Sequence, residues 1–500
     1  MAYSTNPQFS TEQTKKIEFD GTSFYRSGNL AVQRDCQIVN LFYDRTTDEN
    51  KTRQVALKKR SGLSATTYNL TKVSSSDVLR GFFYDSDQNA FYWVVGSKVY
   101  VCRPDVGVAT TLVTTLSTST GYVGFCNFLK STGTRYVIFS DGTDLWIDDY
   151  IAVSCTKVVD PDMPTPHEPC PVYIDGYILL IKAETSDIYN SDNDNPASWT
   201  AGEFISAEIS SDHALKLVKA KNYITSLGQD SIEYFWDAGN ATGSPFSRND
   251  SPFRAVGYIT GLCTIGDTTF FVGKDKNQNT AVYTLNSFKV EKISNAIVER
   301  TIQTYVATQN AKSPVNLDRD GYCISVDGHT FYVLVAGQTT WAYDVDDHFW
   351  YEWKGSDGNG LQIEAAWTMQ DGSMYVAIAG QTYISVMNPA NYQDFGSNFT
   401  CRYTTEDFNA DTFNWKVCSR VMLRADMHDY TGTSNLQLTW SDNDWADGGI
   451  ATARDINVFS SSPFITNTGR FRNRSFRLQY TDNYPIRMYG LEMRLNVMGN

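Results

Sequence analysis

The chain has few of the features that mark membrane-spanning, secreted or redox proteins. No apolar run approaches the roughly 18 residues that a membrane helix needs, and residues 1–16 are polar rather than signal-like. The nine cysteines include no C-x-x-C pair, which is the spacing of many zinc and redox sites. We therefore expect a soluble protein, made in a cytosol, whose cysteines are reduced and mostly buried.

Catalytic motifs are also missing. The sequence contains no G-x-S-x-G elbow, no complete P-loop and no complete dinucleotide-binding loop. His167-Glu168 is not followed by the second histidine of a zinc protease, and there are only five histidines in all. We predict that the protein is not an enzyme and has no catalytic residue, cofactor or metal site.

Charge is sparse and mostly negative. Charged residues make up 20% of the chain, and 42 Lys and Arg against 56 Asp and Glu give a net charge of −14. With 30 Tyr, 27 Phe and 11 Trp, the chain is too aromatic for a disordered protein. An acidic surface repels phosphate, so tight binding of nucleic acid over a large face is excluded, although transient contact is not.

A plan of two strands joined by a tight turn recurs seven times. Each copy runs from a turn through an aromatic and β-branched strand and returns through a second strand. The copies are Ala90–Cys102, Arg135–Ile147, Gly176–Asn190, Asn222–Trp236, Thr268–Leu285, His329–Val345 and Ser373–Met387. Their internal turns lie at Gly96, Gly142, Glu184, Gly228, Gly273, Gly337 and Gly380.

The spacing of these turns is typical of β-propeller blades. The intervals are 46, 42, 44, 45, 64 and 43 residues, and propeller blades repeat with a period of about 40 to 50 residues. In the long interval, Ser294 can cap a helix on which Ile297, Val298, Ile302 and Tyr305 share one face. The alternative that the repeat leaves open is a stack of ordinary β-meanders.

We predict an all-β protein with three regions. Residues 1–76 form an N-terminal arm with the first strands, and residues 77–397 form a β-propeller of about seven blades, within a range of six to eight, with a short helical insertion near 294–305. Residues 398–500 form a β-sandwich-like domain, because apolar and polar residues alternate at Leu436–Trp440 and Leu491–Val497.

One group of basic residues is a candidate binding site. Arg470, Arg472, Arg474 and Arg477 could bind phosphate or the carboxylates of a partner. The run is equally compatible with an exposed edge strand whose charges deter aggregation.

Several adjoining phrases resemble the packaged-DNA-stabilisation proteins of short-tailed bacteriophages, which are also called tail hub, tail nozzle or head-completion proteins. The similar phrases are Lys59–Leu63, Phe204–Glu208, Ser226–Asn240, Ser244–Phe246, Lys292–Ile302, Ala342–Trp353 and Arg474–Leu495. They occur in the family's order from about residue 55 to 497. Ser441–Trp445 departs from the family's Asp-Asp-Gly-Gly-x-x-Trp phrase.

The resemblance implies a structural protein of the virion tail. It implies a homo-oligomeric ring, expected to be hexameric, below the portal and its adaptor ring, that prolongs and closes the DNA channel. Tailspikes or tail fibres and a plug or needle would dock on this ring, and double-stranded DNA would pass through it without membrane insertion.

The competing interpretation is a sialidase-like or lectin-like propeller that binds a glycan. Two runs, Asp192–Trp199 and Ser441–Trp445, resemble the aspartate box of such propellers, but neither keeps the glycine before the tryptophan. This function would need convergent arginine and acidic groups around one mouth of the propeller.

Overall fold

In the part of the chain that the computed structural model describes, there are forty-one strands and one helix. The structure describes residues 12–19, 38–47, 53–74, 77–104, 108–149, 152–310, 321–426, 430, 432–443, 445 and 453–498. The predicted N-terminal arm, Cys36, His428 and Asp444 lie wholly or partly outside these residues.

The strands before the helix are β1 (Gln13–Glu18), β2 (Ile38–Val39), β3 (Leu41–Thr47), β4 (Arg53–Lys59), β5 (Gly62–Asn69), β6 (Leu79–Asp85), β7 (Ala90–Val95), β8 (Lys98–Arg103), β9 (Val108–Thr115), β10 (Gly124–Leu129), β11 (Arg135–Ser140), β12 (Leu145–Asp149), β13 (Ser154–Lys157), β14 (Val172–Ile174), β15 (Tyr177–Ile181), β16 (Asp187–Asp192), β17 (Asn195–Ser206), β18 (Ala214–Ala220), β19 (Tyr223–Gly228), β20 (Ile232–Asp237), β21 (Phe246–Arg254), β22 (Gly257–Ile265), β23 (Thr268–Lys274), β24 (Thr280–Asn286) and β25 (Lys289–Lys292).

The helix α1 (Ala296–Asn310) follows, and after it come β26 (Tyr322–Val326), β27 (His329–Ala336), β28 (Thr339–Asp344), β29 (Phe349–Trp353), β30 (Ile363–Thr368), β31 (Met374–Ile378), β32 (Tyr383–Asn388), β33 (Gln393–Asp394), β34 (Ser397–Asn398), β35 (Cys401–Thr404), β36 (Lys416–Ala425), β37 (Asn435–Ser441), β38 (Arg454–Asn457), β39 (Phe464–Phe471), β40 (Ser475–Tyr480) and β41 (Arg487–Val497).

The chain divides into two compact units. Residues 65–337 and 362–386 form one, called here the propeller unit, and residues 1–64, 338–361 and 387–500 form the other, called the terminal unit. The strand content confirms the all-β prediction.

Antiparallel sheets of consecutive strands build the propeller unit. Five sheets have four strands each, in the orders β6 to β9, β10 to β13, β14 to β17, β18 to β21 and β22 to β25. The predicted strand pairs are the second and third strands of these sheets: the first copy, for example, is β7 paired with β8. β26 and β27 form a further antiparallel pair.

The propeller unit closes on itself. The first strands β6, β10, β14 and β18 lie side by side in that order, and so do β22, β26 and β30. β22 lies beside β19 of the preceding sheet, and β30 lies beside β6. β5 pairs with β32 to complete the sheet of β30 to β32. Two hydrogen bonds at this join run from Thr66 Oγ1 to the Ile384 carbonyl (2.6 Å) and from the Leu70 amide to the Thr382 carbonyl (2.8 Å). An early strand thus closes the ring of sheets.

Aromatic side chains fill the space between neighbouring sheets. Between the β6 sheet and the β30 sheet, Phe82 stacks on Trp367 with ring centroids 4.1 Å apart, and Phe91 lies 5.6 Å from the same indole. Such pairs bury large apolar areas and add specific ring geometry. The aromatic richness of the sequence is therefore a property of the core.

Glycines in three of the first strands lie against the backbone of a neighbouring sheet. A Cβ on Gly257 would lie 1.8 Å from the Gln229 carbonyl oxygen, in the preceding sheet. A Cβ on Gly81 or Gly124 would lie 2.2 or 2.1 Å from the Val123 or Pro169 carbonyl oxygen, just before the first strand of the following sheet. Only glycine fits at these crossings of backbone on backbone.

Some of the predicted turns are confirmed and one is wrong. Gly337 and Gly380 both have positive φ, at 64° and 82°, as their shared turn sequence predicts. The turn predicted at Gly228 joins β19 to β20, where the Gly228 amide donates to the Ser231 carbonyl at 2.8 Å. The turn predicted at Gly273 is wrong, because Gly273 lies inside β23.

The predicted helical insertion exists but has a different cap. Asn295, not Ser294, is the N-cap, because its Oδ1 accepts hydrogen bonds from the Ile297 and Val298 amides, both at 3.1 Å. The Ser294 hydroxyl instead accepts from the Val282 amide. Val298 and Ile302 are buried as predicted.

The terminal unit contains N-terminal and C-terminal strands in common sheets. β1 and β4 both pair with β41, in a sheet that runs β3-β4-β41-β36-β39. In another, the strands β28-β29-β2-β35-β40-β37-β38 are consecutive. The described N-terminal strands are thus integral to this unit and do not form an extended arm, since hydrogen bonds to β41 and β35 satisfy their backbones.

No helix among the described residues is long and apolar enough to span a membrane. All eight described cysteines are free thiols, and Cys102, Cys170, Cys401 and Cys418 are buried. Burial raises the pKa of the Cys401 thiol to about 11. The buried thiols therefore behave as small apolar side chains.

Candidate functional site

The four arginines of the candidate site lie in the terminal unit but in different environments. Arg470 is near the end of β39, Arg472 follows that strand, and Arg474 and Arg477 lie before and within β40. Arg470 and Arg472 are exposed, Arg477 is half-buried, and Arg474 is buried. The structure thus separates the run into a surface pair and two side chains with internal partners.

Arg474 is a structural residue. Its Nε and Nη2 donate to the two carboxylate oxygens of Asp442 at 2.6 and 2.8 Å, and its Nη1 donates to the Thr468 carbonyl and hydroxyl. Its guanidinium also lies 4.3 Å from the Phe471 ring centroid. A bidentate pair of this kind fixes geometry, so Arg474 is not available to phosphate or to a partner.

Arg477 also packs inside the unit. Its guanidinium lies 4.0 Å from the centroid of the Trp445 ring. Burial lowers the pKa of this guanidinium, and the nearby charge of Arg402 lowers it further. The side chain holds the region of Ser441–Trp445, where the sequence departs from the phage family, against β40.

Arg470 and Arg472 flank one exposed indole. Their guanidinium carbons lie 5.2 and 5.0 Å from the ring centroid of Trp415, which is 41% exposed. The pairing of Val417 with Arg470 and of Lys416 with Phe471 places Trp415 next to both arginines. In the part of the chain that the structure describes, neither arginine forms an ion pair with a carboxylate.

A second group of cations, at the end of β4, was not recognised as a site from the sequence. Arg60 is fully buried, and its Nη1 and Nη2 donate to the carboxylate of Asp394 at 3.1 and 2.6 Å. The same guanidinium donates to Asn40 Oδ1 and to the Lys354 carbonyl, and its central carbon lies 3.8 Å from the Phe399 ring centroid. Arg60 therefore joins four separate segments of the terminal unit.

Lys59 lies in an aromatic enclosure beside Arg60. Its ammonium donates to the Asp482 carbonyl at 2.8 Å and lies 4.5, 5.4 and 5.9 Å from the ring centroids of Phe399, Tyr480 and Tyr392. Burial lowers the pKa of Lys59, while nearby acidic groups partly oppose this change. The phrase Lys59–Leu63 of the phage resemblance was the available signal for this group.

One serine–histidine contact invites comparison with a nucleophile and base. Ser140 Oγ lies 2.6 Å from His167 Nε2, and His167 Nδ1 lies 2.8 Å from the Pro164 carbonyl oxygen. Both side chains are buried, and the Gly142 amide donates to the same Ser140 oxygen. Burial lowers the pKa of His167. The pair fastens the loop before β14 to the β11–β12 turn.

The Asp192–Trp199 run is a turn device. Asp192 accepts hydrogen bonds from the Ser198 and Thr200 hydroxyls, at 2.6 and 2.8 Å, and Trp199 is buried against Ile178 and Leu180. The Asp192 carboxylate is therefore hydrogen-bonded within its own hairpin, as is common for aspartates in turns.

Comparison with known proteins identifies one family. A family model described as bacteriophage P22 Gp10, β-propeller, matches residues 47–376, about two thirds of the chain. The match includes β5, the strand that closes the propeller unit. Among curated proteins, no sequence matches the chain.

Several solved structures are similar at low identity. They include the extracellular domain of the one-component system BT4673 from B. thetaiotaomicron, at 10% identity and a TM-score of 0.43, with 80% of this chain and 48% of that chain covered. The WD40 β-propeller domain of Doa1 matches at 11% identity and a TM-score of 0.37, over 66% of this chain and 97% of that domain. U3-55K matches at 7% identity and a TM-score of 0.41, over 65% and 98%.

Proposed function

We propose a role in the tail of a phage particle for this chain, which belongs to the family of bacteriophage P22 Gp10 β-propellers. Family membership makes it a phage structural protein and a virion component. The family match over residues 47–376 is the observation that carries the proposal.

The finer proposal is a tail hub or nozzle. Six copies would form a ring below the portal and the adaptor ring, extend the DNA channel and close it after packaging. Tailspikes or tail fibres, and a needle or plug, would dock on this ring. A closed ring of sheets suits such a role, because a propeller has no long open sheet edge at which it could pair with the wrong neighbour.

The negative charge of the chain supports a role as a channel for DNA rather than as a DNA-binding protein. Each phosphate that a protein neutralises releases counterions and strengthens attachment to DNA. Because each chain has a net charge of −14, the wall of the proposed channel would let DNA slide during packaging and ejection. In this proposal, mechanical closure by the ring and a plug retains the genome.

We expect the isolated protein to bind duplex DNA only weakly. In a filter-binding titration, binding at low salt should be non-specific and should disappear at physiological salt, where acidic surfaces gain nothing from counterion release. A matched titration on a sialylated glycan tests the competing propeller function. Nanomolar DNA affinity that persists at physiological salt would contradict the role as a channel, and saturable glycan binding would favour the lectin-like interpretation.

A further inference from the structure

The solvent-facing side of one sheet in the terminal unit is basic, although the chain as a whole is acidic. In the sheet of β1, β41, β36 and β39, register places Arg420 opposite Arg494 and Val417 opposite Arg470, whereas the intervening Cys418 and Leu495 are buried. Because buried and exposed residues alternate along these strands, the arginines lie on the solvent-facing side of the sheet. The cations on this side and at its end are Lys16, Arg420, Arg424, Arg470, Arg472 and Arg494.

Few carboxylates balance these cations. Glu492 lies opposite Lys16, Glu18 forms an ion pair with Arg424, and Glu12 accepts a hydrogen bond from the Ser419 hydroxyl. Among the described residues, Arg420, Arg470, Arg472 and Arg494 form no ion pair with a carboxylate. This outer side of the sheet is called here the basic face. Because several of its cations have no carboxylate partner among the described residues, they can bind an external partner.

Apolar groups accompany the charges on the basic face. Trp415 and Phe464 are each 41% exposed, and each has a guanidinium over its ring: Arg470 and Arg472 over Trp415, and Arg420 over Phe464 at 3.8 Å. Arginine and tryptophan are the residue types most enriched among energetic hot spots of protein interfaces. Cation–π contact also holds the guanidiniums in place before a partner binds.

The negative charge that would complement the basic face lies on the propeller unit of the same chain. The propeller unit has 20 Lys and Arg against 32 Asp and Glu, a net charge of −12, whereas the terminal unit has 22 against 24, or −2. We propose that the basic face of one copy binds the acidic propeller unit of a second copy. Such a contact joins two different surfaces, so it is heterologous and each copy can bind one neighbour through each surface.

A protein surface fits the basic face better than DNA does. Four arginines without internal ion pairs are too few to hold a duplex to a chain of net charge −14. The exposed indole and phenyl rings fit an interface that excludes water, whereas phosphate contacts need no such rings. The inference does not depend on the role in a phage tail, because self-association can be measured on the protein alone.

Sedimentation velocity of the full chain over a range of concentrations tests this interface. Wild type should self-associate, and raising the salt from about 50 to about 500 mM should weaken association because the Debye length shortens. The variant Arg470→Glu/Arg472→Glu should associate at least about tenfold more weakly, since like charges then face each other across the contact.

A charge-matched variant supplies the control. Lys98→Glu/Lys276→Glu makes the same change in net charge on exposed lysines of the propeller unit and should leave association unchanged or slightly stronger. Unchanged circular dichroism and thermal midpoints would show that both variants fold. The proposal is overturned if wild type stays monomeric throughout, if both variants behave alike, or if the arginine variant loses binding to a short DNA duplex but not self-association.

Discussion

Replacing Asp394 with alanine should lower the free energy of unfolding by about 3–5 kcal/mol, because it leaves the charge of Arg60 buried without its counter-ion. The Arg60 and Asp394 side chains are 0% and 3% exposed, and their closest N–O distance is 2.6 Å. Water cannot replace the lost carboxylate at such a site. Urea denaturation followed by tryptophan fluorescence measures the effect.

An exposed ion pair in the same unit is the control for Asp394. Glu18 and Arg424 are 48% and 34% exposed, and Glu18→Ala should cost no more than about 1 kcal/mol. The conservative Asp394→Asn keeps an acceptor for Arg60 and should fall between the two. Equal losses in Asp394→Ala and Glu18→Ala would show that Arg60 does not organise the unit as described.

Replacing Gly257 with alanine should destabilise the propeller unit by at least about 2 kcal/mol, because the added methyl group overpacks a backbone contact. Its Cβ would lie 1.8 Å from the Gln229 carbonyl oxygen and 2.5 Å from the carbonyl carbon. Backbone atoms in two neighbouring sheets cannot rotate away as a side chain could. Thermal unfolding monitored by circular dichroism measures the loss.

Gly266→Asn provides the comparison for Gly257. Gly266 lies in a turn with φ of 58°, and a Cβ added there would have no atom within 4 Å. Asparagine tolerates this left-handed conformation, so the thermal midpoint should change little. A Gly257→Ala protein as stable as wild type would mean that the first strands are not packed as tightly as the structure shows.

Much of the propeller unit could be predicted from local patterns in the sequence. Each predicted copy of the repeat corresponds to two consecutive strands, because hairpins depend on nearby turn residues and short-range alternation. The predicted N-cap is wrong by one residue, since Ser294 and Asn295 are both good caps and only the position of the Val282 amide decides between them.

Pairing between distant segments could not be read from the sequence. β1 pairs with β41 and β5 with β32, and no local signal links strands from opposite ends of the chain. The same limit applies to Arg474, because its burial depends on Asp442 in another segment. Charge and spacing alone therefore made four arginines look equivalent when only Arg470 and Arg472 are exposed as a pair.

The basic face and the buried Arg60 group show two uses of arginine in one unit. At Arg60, the guanidinium is enclosed and holds segments of one copy together. On the basic face, exposed guanidiniums lie over exposed rings, as expected for a contact with another molecule. Charge-reversal variants should therefore affect assembly on the basic face and folding at Arg60.

The most direct test of the proposed closure of the DNA channel is genome retention by phage particles assembled without this protein. Nuclease-protected DNA per particle, measured at intervals after packaging, should rise to the level of complete particles and then fall as the genome leaks through the open channel. Adding the purified protein back soon after packaging should prevent the fall. Particles that stay filled without the protein would contradict the account.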